Sequence, residues 1–173
     1  MKKIIFVISL AFLVILPDIN LLSQVEKKDS LTVEKNSLTG IFLDYSYDND
    51  DNSMKFLSLG MQGTFLLNND GIYGFEECFF SCGLDEAKNN YILGVTTGLK
   101  LSHPRGDFNV FEDVGAGIVV IAKSSQDKSD LGLNALVRIG ITYKNIGINV
   151  NGRYIQTKNN IFSNFGLGLW YTF

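Results

Sequence analysis

His103 is the single histidine of this 173-residue chain, and its side chain is the one best suited to acid–base chemistry near neutral pH. It lies in Ser102-His103-Pro104-Arg105-Gly106-Asp107, whose residue types indicate a turn. No second histidine is present for a zinc site, and Ser124 and Ser125 have no base near them in the sequence. We therefore interpret His103 as a solvated or structural residue and expect no catalytic residue, metal or cofactor.

Three other short motifs also have structural interpretations. Arg105-Gly106-Asp107 spells an integrin-binding tripeptide but fits a tight turn. Cys78 and Cys82 would lie about 13 Å apart in a straight strand, beyond the roughly 7 Å that a disulfide spans, so their pairing requires a bend and is left open. The oxygen-rich segment 48–52 lacks the glycine and the final glutamate of a calcium hand, which favours a solvated acidic turn.

The start of the chain resembles a secretion signal in its layout. Two lysines precede an apolar run from Ile4 to Leu16, which Pro17 ends. A run of about 13 residues matches the apolar region of a signal peptide and is shorter than the roughly 20 residues of a spanning helix. We predict a signal peptide over 1–23, followed by a flexible periplasmic leader over 24–38.

Composition favours β structure and argues against nucleic acid as a partner. The formal net charge is −3, and no basic stripe is present to neutralise phosphates. Glycine is abundant with 17 residues, proline is scarce with two, and aromatic residues make up 12%. Chains of this kind with alternating patterns are typical of strands separated by turns.

From Thr39 onward, polar and apolar residues alternate with a period of two. The pattern predicts an even number of strands, each long enough to cross a bilayer when tilted. Asn, Asp, Gly and Ser fill the connections between them. The eight predicted strands are 39–47, 54–67, 71–82, 90–101, 108–123, 131–144, 145–156 and 161–173.

The polar faces of these strands carry charges that decide which face points inward. If the apolar faces pointed inward, Arg138 and Arg153 would face lipid, at about 2–4 kcal/mol each near the midplane. The apolar faces are therefore expected to point outward, with Tyr91, Tyr154, Trp170 and Tyr171 in interfacial girdles. Buried charges need partners. We expect a charge network in the lumen, formed by Asp44, Glu76, Lys100, Asp113, Arg138 and Arg153.

The last strand runs to an aromatic final residue. Together with the strand count and the signal, its pattern Gly168-x-x-Tyr171-x-Phe173 resembles the small eight-stranded outer-membrane β-barrel proteins of Gram-negative bacteria. The resemblance implies an all-β fold, an antiparallel up-and-down barrel over 39–173 located in the cell outer membrane, with both termini periplasmic. It also implies contact with outer-membrane lipid, and insertion by a barrel-assembly machinery that reads Gly168, Tyr171 and Phe173.

The resemblance implies a structural or surface-interaction role, with a lumen filled by side chains and an extracellular partner that the sequence does not identify. A narrow channel for small or hydrophobic solutes is one alternative. A secreted soluble ligand-binding barrel is another, because alternation alone does not separate inside from outside. Barrel enzymes that process lipid A use a histidine near the outer leaflet, whereas His103 falls on the predicted periplasmic side.

Overall fold

The strands form as the alternating pattern requires. The computed structural model describes residues 39–48, 54–67, 72–85, 87, 89–123, 129–159 and 161–173. Over these residues it contains eight antiparallel β-strands and no helix long and apolar enough to cross a membrane. The strands are β1 (Thr39–Asp48), β2 (Met54–Leu66), β3 (Ile72–Asp85), β4 (Asn90–Arg105), β5 (Phe108–Lys123), β6 (Ser129–Tyr143), β7 (Ile146–Thr157) and β8 (Ile161–Thr172).

The sheet closes on itself. Each strand pairs with its neighbours in sequence, and β1 also pairs with β8, so that every strand has a partner on both sides. Paired residues followed around the barrel from Leu66 on β2 lead back to Phe56 on the same strand, ten residues away. Such an offset tilts the strands of a barrel by roughly 35–45°.

The eight predicted segments match the eight observed strands, but one connection was predicted wrongly. The segment 102–107 is not a loop: β4 continues to Arg105, and Gly106-Asp107 alone turns the chain into β5. Gly106 takes a left-handed φ of 63°, which glycine adopts without steric cost. A tight turn at Lys144-Asn145 connects β6 to β7. The predicted signal peptide and leader lie outside the described residues.

The apolar faces point outward, as predicted. On every strand but β3, large apolar side chains are exposed on the outer surface of the barrel; β3 presents the half-buried Cys78, Phe80 and Cys82 there. Aromatic pairs lie on this surface near both ends of the barrel, Tyr47 with Phe165 at one end and Phe108 with Tyr143 at the other. A soluble barrel with an apolar ligand cavity would have the opposite arrangement.

The lumen is filled, and not by polar residues alone. Near the loop end, away from Thr39 and Thr172, its apolar residues include Phe56, Ile92, Ile121, Ile155 and Phe162. Toward the other end, Phe42 stacks on Trp170 with ring centroids 5.9 Å apart, and Phe111 lies 5.8 Å from Trp170. The predicted place of Trp170 in an outer girdle was therefore wrong, whereas Tyr154 and Tyr171 are exposed on the outer surface and the half-buried Tyr91 lies on the same face.

Candidate functional site

The candidate site is a cluster of charged side chains in the lumen, between the two apolar regions. We call it the lumen network. Among the described residues it balances three cations against three carboxylates, so that its formal charge is zero. Because the strands alternate, every second residue of β1 and β3–β7 projects into the same interior. The members are Asp44, Glu77, Lys100, Asp113, Arg138 and Arg153.

Arg138 on β6 lies at the centre of the lumen network and is completely buried. Its Nη2 donates to Glu77 Oε2 at 2.7 Å, and its Nη1 donates to Asp113 Oδ2 at 3.3 Å. Asp44 Oδ2 lies 3.7 Å from the same Nη2. A buried guanidinium thus contacts carboxylates from three other strands, β1, β3 and β5, which ties the barrel together across its interior.

Glu77 connects the two arginines. Its Oε1 accepts a short hydrogen bond from Arg153 Nη2, while its Oε2 accepts from Arg138. Arg153 Nη1 also donates to Thr96 Oγ1 at 3.3 Å and to Asn134 Oδ1 at 3.4 Å. A carboxylate that receives two guanidinium groups is a strong, charge-assisted junction.

Lys100 and Asp113 form the part of the network nearest the end of the barrel that holds Thr39 and Thr172. Lys100 Nζ donates to Gln62 Oε1 at 2.7 Å and lies 3.4 Å from Asp113 Oδ1. Gln62 Nε2 in turn donates to Asp113 Oδ2 at 3.1 Å. Gln62 therefore joins the two charged groups and is itself fully buried. On the opposite side, Asn149 Nδ2 donates to Asp44 Oδ1 at 3.4 Å.

Aromatic rings cover the cations on both sides. The Arg138 guanidinium lies 4.7 Å from the centroid of Phe42, and Lys100 Nζ lies 4.3 Å from Phe111 and 4.7 Å from a Trp170 ring. Toward the loop end, the Arg153 guanidinium lies 3.7 Å from the centroid of Phe79. Rings at this distance attract the cations through their quadrupoles and exclude water from them.

Five of the six residues predicted for the lumen lie there, and the prediction of Glu76 was wrong. Glu76 is exposed on the outer surface, where it pairs in register with Gly63 and Thr97. The neighbouring Glu77 takes the inward position that was predicted for Glu76. On β5 the predicted arrangement holds: Asp113 is buried, and Glu112 is exposed.

The remaining sequence motifs do not join the site. His103 is exposed near the end of β4, and Cys78 and Cys82 are free thiols. In the described part of the chain, no cluster of His, Cys, Asp and Glu could hold a metal ion. Segment 49–52 lies outside the described residues. Tyr171 and Phe173 are exposed, while Gly168 faces inward against the Asp44 carboxylate; the reading of these residues by an assembly machinery stays a prediction.

Similar solved structures share this architecture. The outer membrane enzyme PagL matches with a TM-score of 0.62 over 76% of this chain and 98% of PagL, at 10% identity. Neisserial surface protein A (NspA) matches with a TM-score of 0.54 over 79% of this chain and 96% of NspA, at 9% identity. The fold is that of a small eight-stranded outer-membrane barrel.

No protein-family model and no curated protein sequence matches the chain. At 9–10% identity, the structural likeness concerns the fold alone. The role of this barrel is therefore argued from its own side chains.

Proposed function

We propose that this protein is a non-conducting barrel of the bacterial outer membrane with a structural or surface-interaction role and no enzymatic activity. The observation that carries the proposal is the lumen network, a cluster of buried charges paired with one another between two apolar layers. A lumen of this kind is a packed core.

The outer surface supports a membrane location. Leu59, Val114, Leu131 and Leu167 are each more than half exposed, as expected of side chains that contact acyl tails. In water such a continuous apolar surface would aggregate. In a closed barrel the backbone N–H and C=O groups of every strand are hydrogen-bonded to neighbouring strands. This is required in a membrane because its hydrocarbon core offers no water to bond them. The outer-membrane architecture of PagL and NspA supports the outer membrane as the location.

The packing of the lumen opposes transport. A path for ions would have to separate Arg138 from Glu77 and Asp113, and breaking such a buried pair costs about 3–5 kcal/mol. It would also have to pass Phe56 and Phe162, whose rings meet edge to face at 5.9 Å near the loop end. An eight-stranded barrel has an interior just wide enough for its side chains to fill.

A non-enzymatic role fits the disposition of the charged residues. The buried carboxylates of the lumen network each lie within 4 Å of a cation inside a filled lumen, where a substrate has no access to them. His103 is exposed at the end of the barrel where Gly106-Asp107 makes a two-residue turn. PagL is an enzyme with the same fold, which shows that the architecture alone does not decide activity.

Conductance measurements test the proposal. The full chain, refolded into vesicles, should migrate differently on gels before and after boiling and should sediment with the outer membrane when expressed in a Gram-negative host. The same preparation, fused to a planar bilayer, should give no steady single-channel current. Steady, ion-selective conductance would overturn the sealed lumen, and recovery in a soluble fraction would overturn the membrane location.

A further inference from the structure

We propose that the outer wall of the barrel carries a binding groove for the acyl chain of an anionic phospholipid, with Gly152 at its base and Lys158 on the turn that joins the two strands beside it. The inference rests on the membrane location proposed above and adds a specific ligand class and site. Of the lumen network, Arg153 alone also lines the groove.

The groove lies where β6, β7 and β8 run side by side. It is open to the outside and has a volume of about 530 Å³. Gly152 faces outward between its register partners Val137 and Phe165, and a Cβ placed on it would meet no atom within 4 Å. Ala135 and Ser163 add two more small side chains to the lining. The outer wall therefore has a gap at Gly152, whereas Val137 and Phe165 beside it carry larger side chains.

Aromatic side chains border the gap. Tyr154 follows Gly152 on the same face of β7 and pairs in register with both Ala135 and Ser163. Phe165 and Tyr47 meet edge to face with ring centroids 6.0 Å apart. The groove thus has rigid apolar sides and, in Ser163 and the two tyrosines, hydroxyl groups near the loop end of the barrel. Tyrosine is enriched at the membrane–water interface because its ring is apolar while its hydroxyl group contacts water.

The width of the groove selects its occupant. Neighbouring strands lie about 4.8 Å apart, so a missing side chain opens a notch about one hydrocarbon chain wide. A helix, roughly 10–12 Å across with its side chains, is too wide to enter. An added strand is excluded because β6, β7 and β8 are each paired on both sides. A polymethylene chain fits the remaining space.

Charge above the groove favours a phosphate-bearing headgroup. Lys158 is exposed on the turn that joins β7 to β8, the strands that hold Gly152 and Phe165. The turn is held over β6 because Asn159 Nδ2 donates to both Asp130 carboxylate oxygens, at 3.0 and 3.1 Å. An ammonium group in this place is a point-charge donor for phosphate.

A second outward glycine provides an internal comparison. Gly63 on β2 also has no atom within 4 Å of an added Cβ, but its register partner on β3 is the exposed carboxylate of Glu76. An anionic lipid would be repelled there. Gly63 is therefore a matched control with the same residue type and the same freedom from clashes, and it pairs with a carboxylate where Gly152 pairs with Val137 and Phe165.

Photolabelling in vesicles tests the groove. The full chain is refolded into phosphatidylcholine vesicles that contain a small fraction of phosphatidylglycerol with a photoreactive acyl chain, and labelled peptides are mapped by mass spectrometry. Label should concentrate on peptides containing Gly152 and Phe165. Gly152→Leu should reduce this label to the level of the remaining wall, whereas Gly63→Leu should leave it unchanged. Folding of each variant is checked by gel migration before and after boiling.

The headgroup is tested separately. Lys158→Gln should lower the preference for photoreactive phosphatidylglycerol over photoreactive phosphatidylcholine by a factor of about two to five, the size of one exposed ion pair. An unchanged preference overturns the contact of Lys158 with the anionic headgroup. Even labelling of the whole outer wall overturns the groove while leaving the membrane location intact. Absence of label from every strand contradicts the proposed function itself.

Discussion

Replacing Glu77 by glutamine removes the junction of the lumen network while keeping the shape of the side chain. Glu77 is buried and accepts hydrogen bonds from Arg138 and Arg153 on its two oxygens. Glutamine offers one acceptor oxygen and places an NH2 group against a guanidinium. The lumen would then hold three cations and two carboxylates.

The size of the effect follows from these contacts. Hydrogen bonds to charged groups contribute about 1.5–3 kcal/mol each; glutamine loses one of the two outright and weakens the other by removing its charge, about 2–5 kcal/mol together. Breaking a buried ion pair by removing one partner costs about 3–5 kcal/mol in measured cases. Because the two estimates overlap, we expect Glu77→Gln to lower the free energy of unfolding by about 3–5 kcal/mol.

Urea unfolding of the full chain in vesicles measures this change. Trp170 is the single tryptophan and packs against the lumen network, so its fluorescence reports on the lumen. Glu76→Gln is the control, because the adjacent residue is exposed on the outer wall. It should not destabilise the barrel, since it removes a charge from the lipid-facing surface. Equal losses in the two variants, or a larger loss for Glu76→Gln, would refute the assignment of faces on β3.

Two further predictions concern the packing around two glycines of β2 and the state of the two cysteine thiols. Gly60→Ala should destabilise the barrel by about 1–3 kcal/mol in the same unfolding assay, because the added methyl collides with the Phe42 ring. Gly63→Ala, which meets nothing, should be neutral or slightly stabilising, and similar losses at both positions would contradict this packing. Cys78 and Cys82 should both react with an alkylating agent in the unfolded, unreduced protein. A mass lower by two hydrogens and no alkylation would show a disulfide instead.

The strands were predictable because their pattern has a single physical source. Alternation with a period of two arises when the two faces of a strand meet different environments. β6 shows this most clearly, with Leu131, Leu133 and Val137 exposed and Arg138 buried. The cost of an arginine in lipid then decided that the apolar faces point outward, and the structure agrees on every strand but β3, where Glu77 and not Glu76 faces inward.

The error at Glu76 has a local cause. Both faces of β3 carry apolar residues, because Phe75 and Phe79 project into the lumen beside Glu77. Their rings lie over the inward glycines of β4: an added Cβ on Gly94 would strike Phe79, and one on Gly98 would approach Phe75. The residues that indicate which face of β3 points inward therefore lie on β4, where inward glycines leave space for large side chains from β3. The hydropathy of β3 alone does not distinguish its two faces.

Trp170 was misplaced for a similar reason. A tryptophan near the end of a strand usually marks the interface, but here its ring fills the space above Gly40, where an added Cβ would lie 2.7 Å from the indole. Its indole nitrogen donates to Thr172 Oγ1 at 2.9 Å, so the polar atom is satisfied inside the barrel. Such cross-strand packing depends on register, which the sequence does not state.

Fluorescence quenching by bromine-labelled acyl chains tests the central arrangement, in which the apolar wall contacts lipid and the lumen network is sealed inside. The wild-type chain carries its tryptophan at 170, and the double variant Trp170→Phe, Tyr171→Trp moves it to the next residue, on the opposite face of β8. In vesicles of brominated lipid, we expect weak quenching of the wild type and strong quenching of the double variant. Strong quenching at 170 with weak quenching at 171, or equal quenching at both, would contradict this account of the barrel.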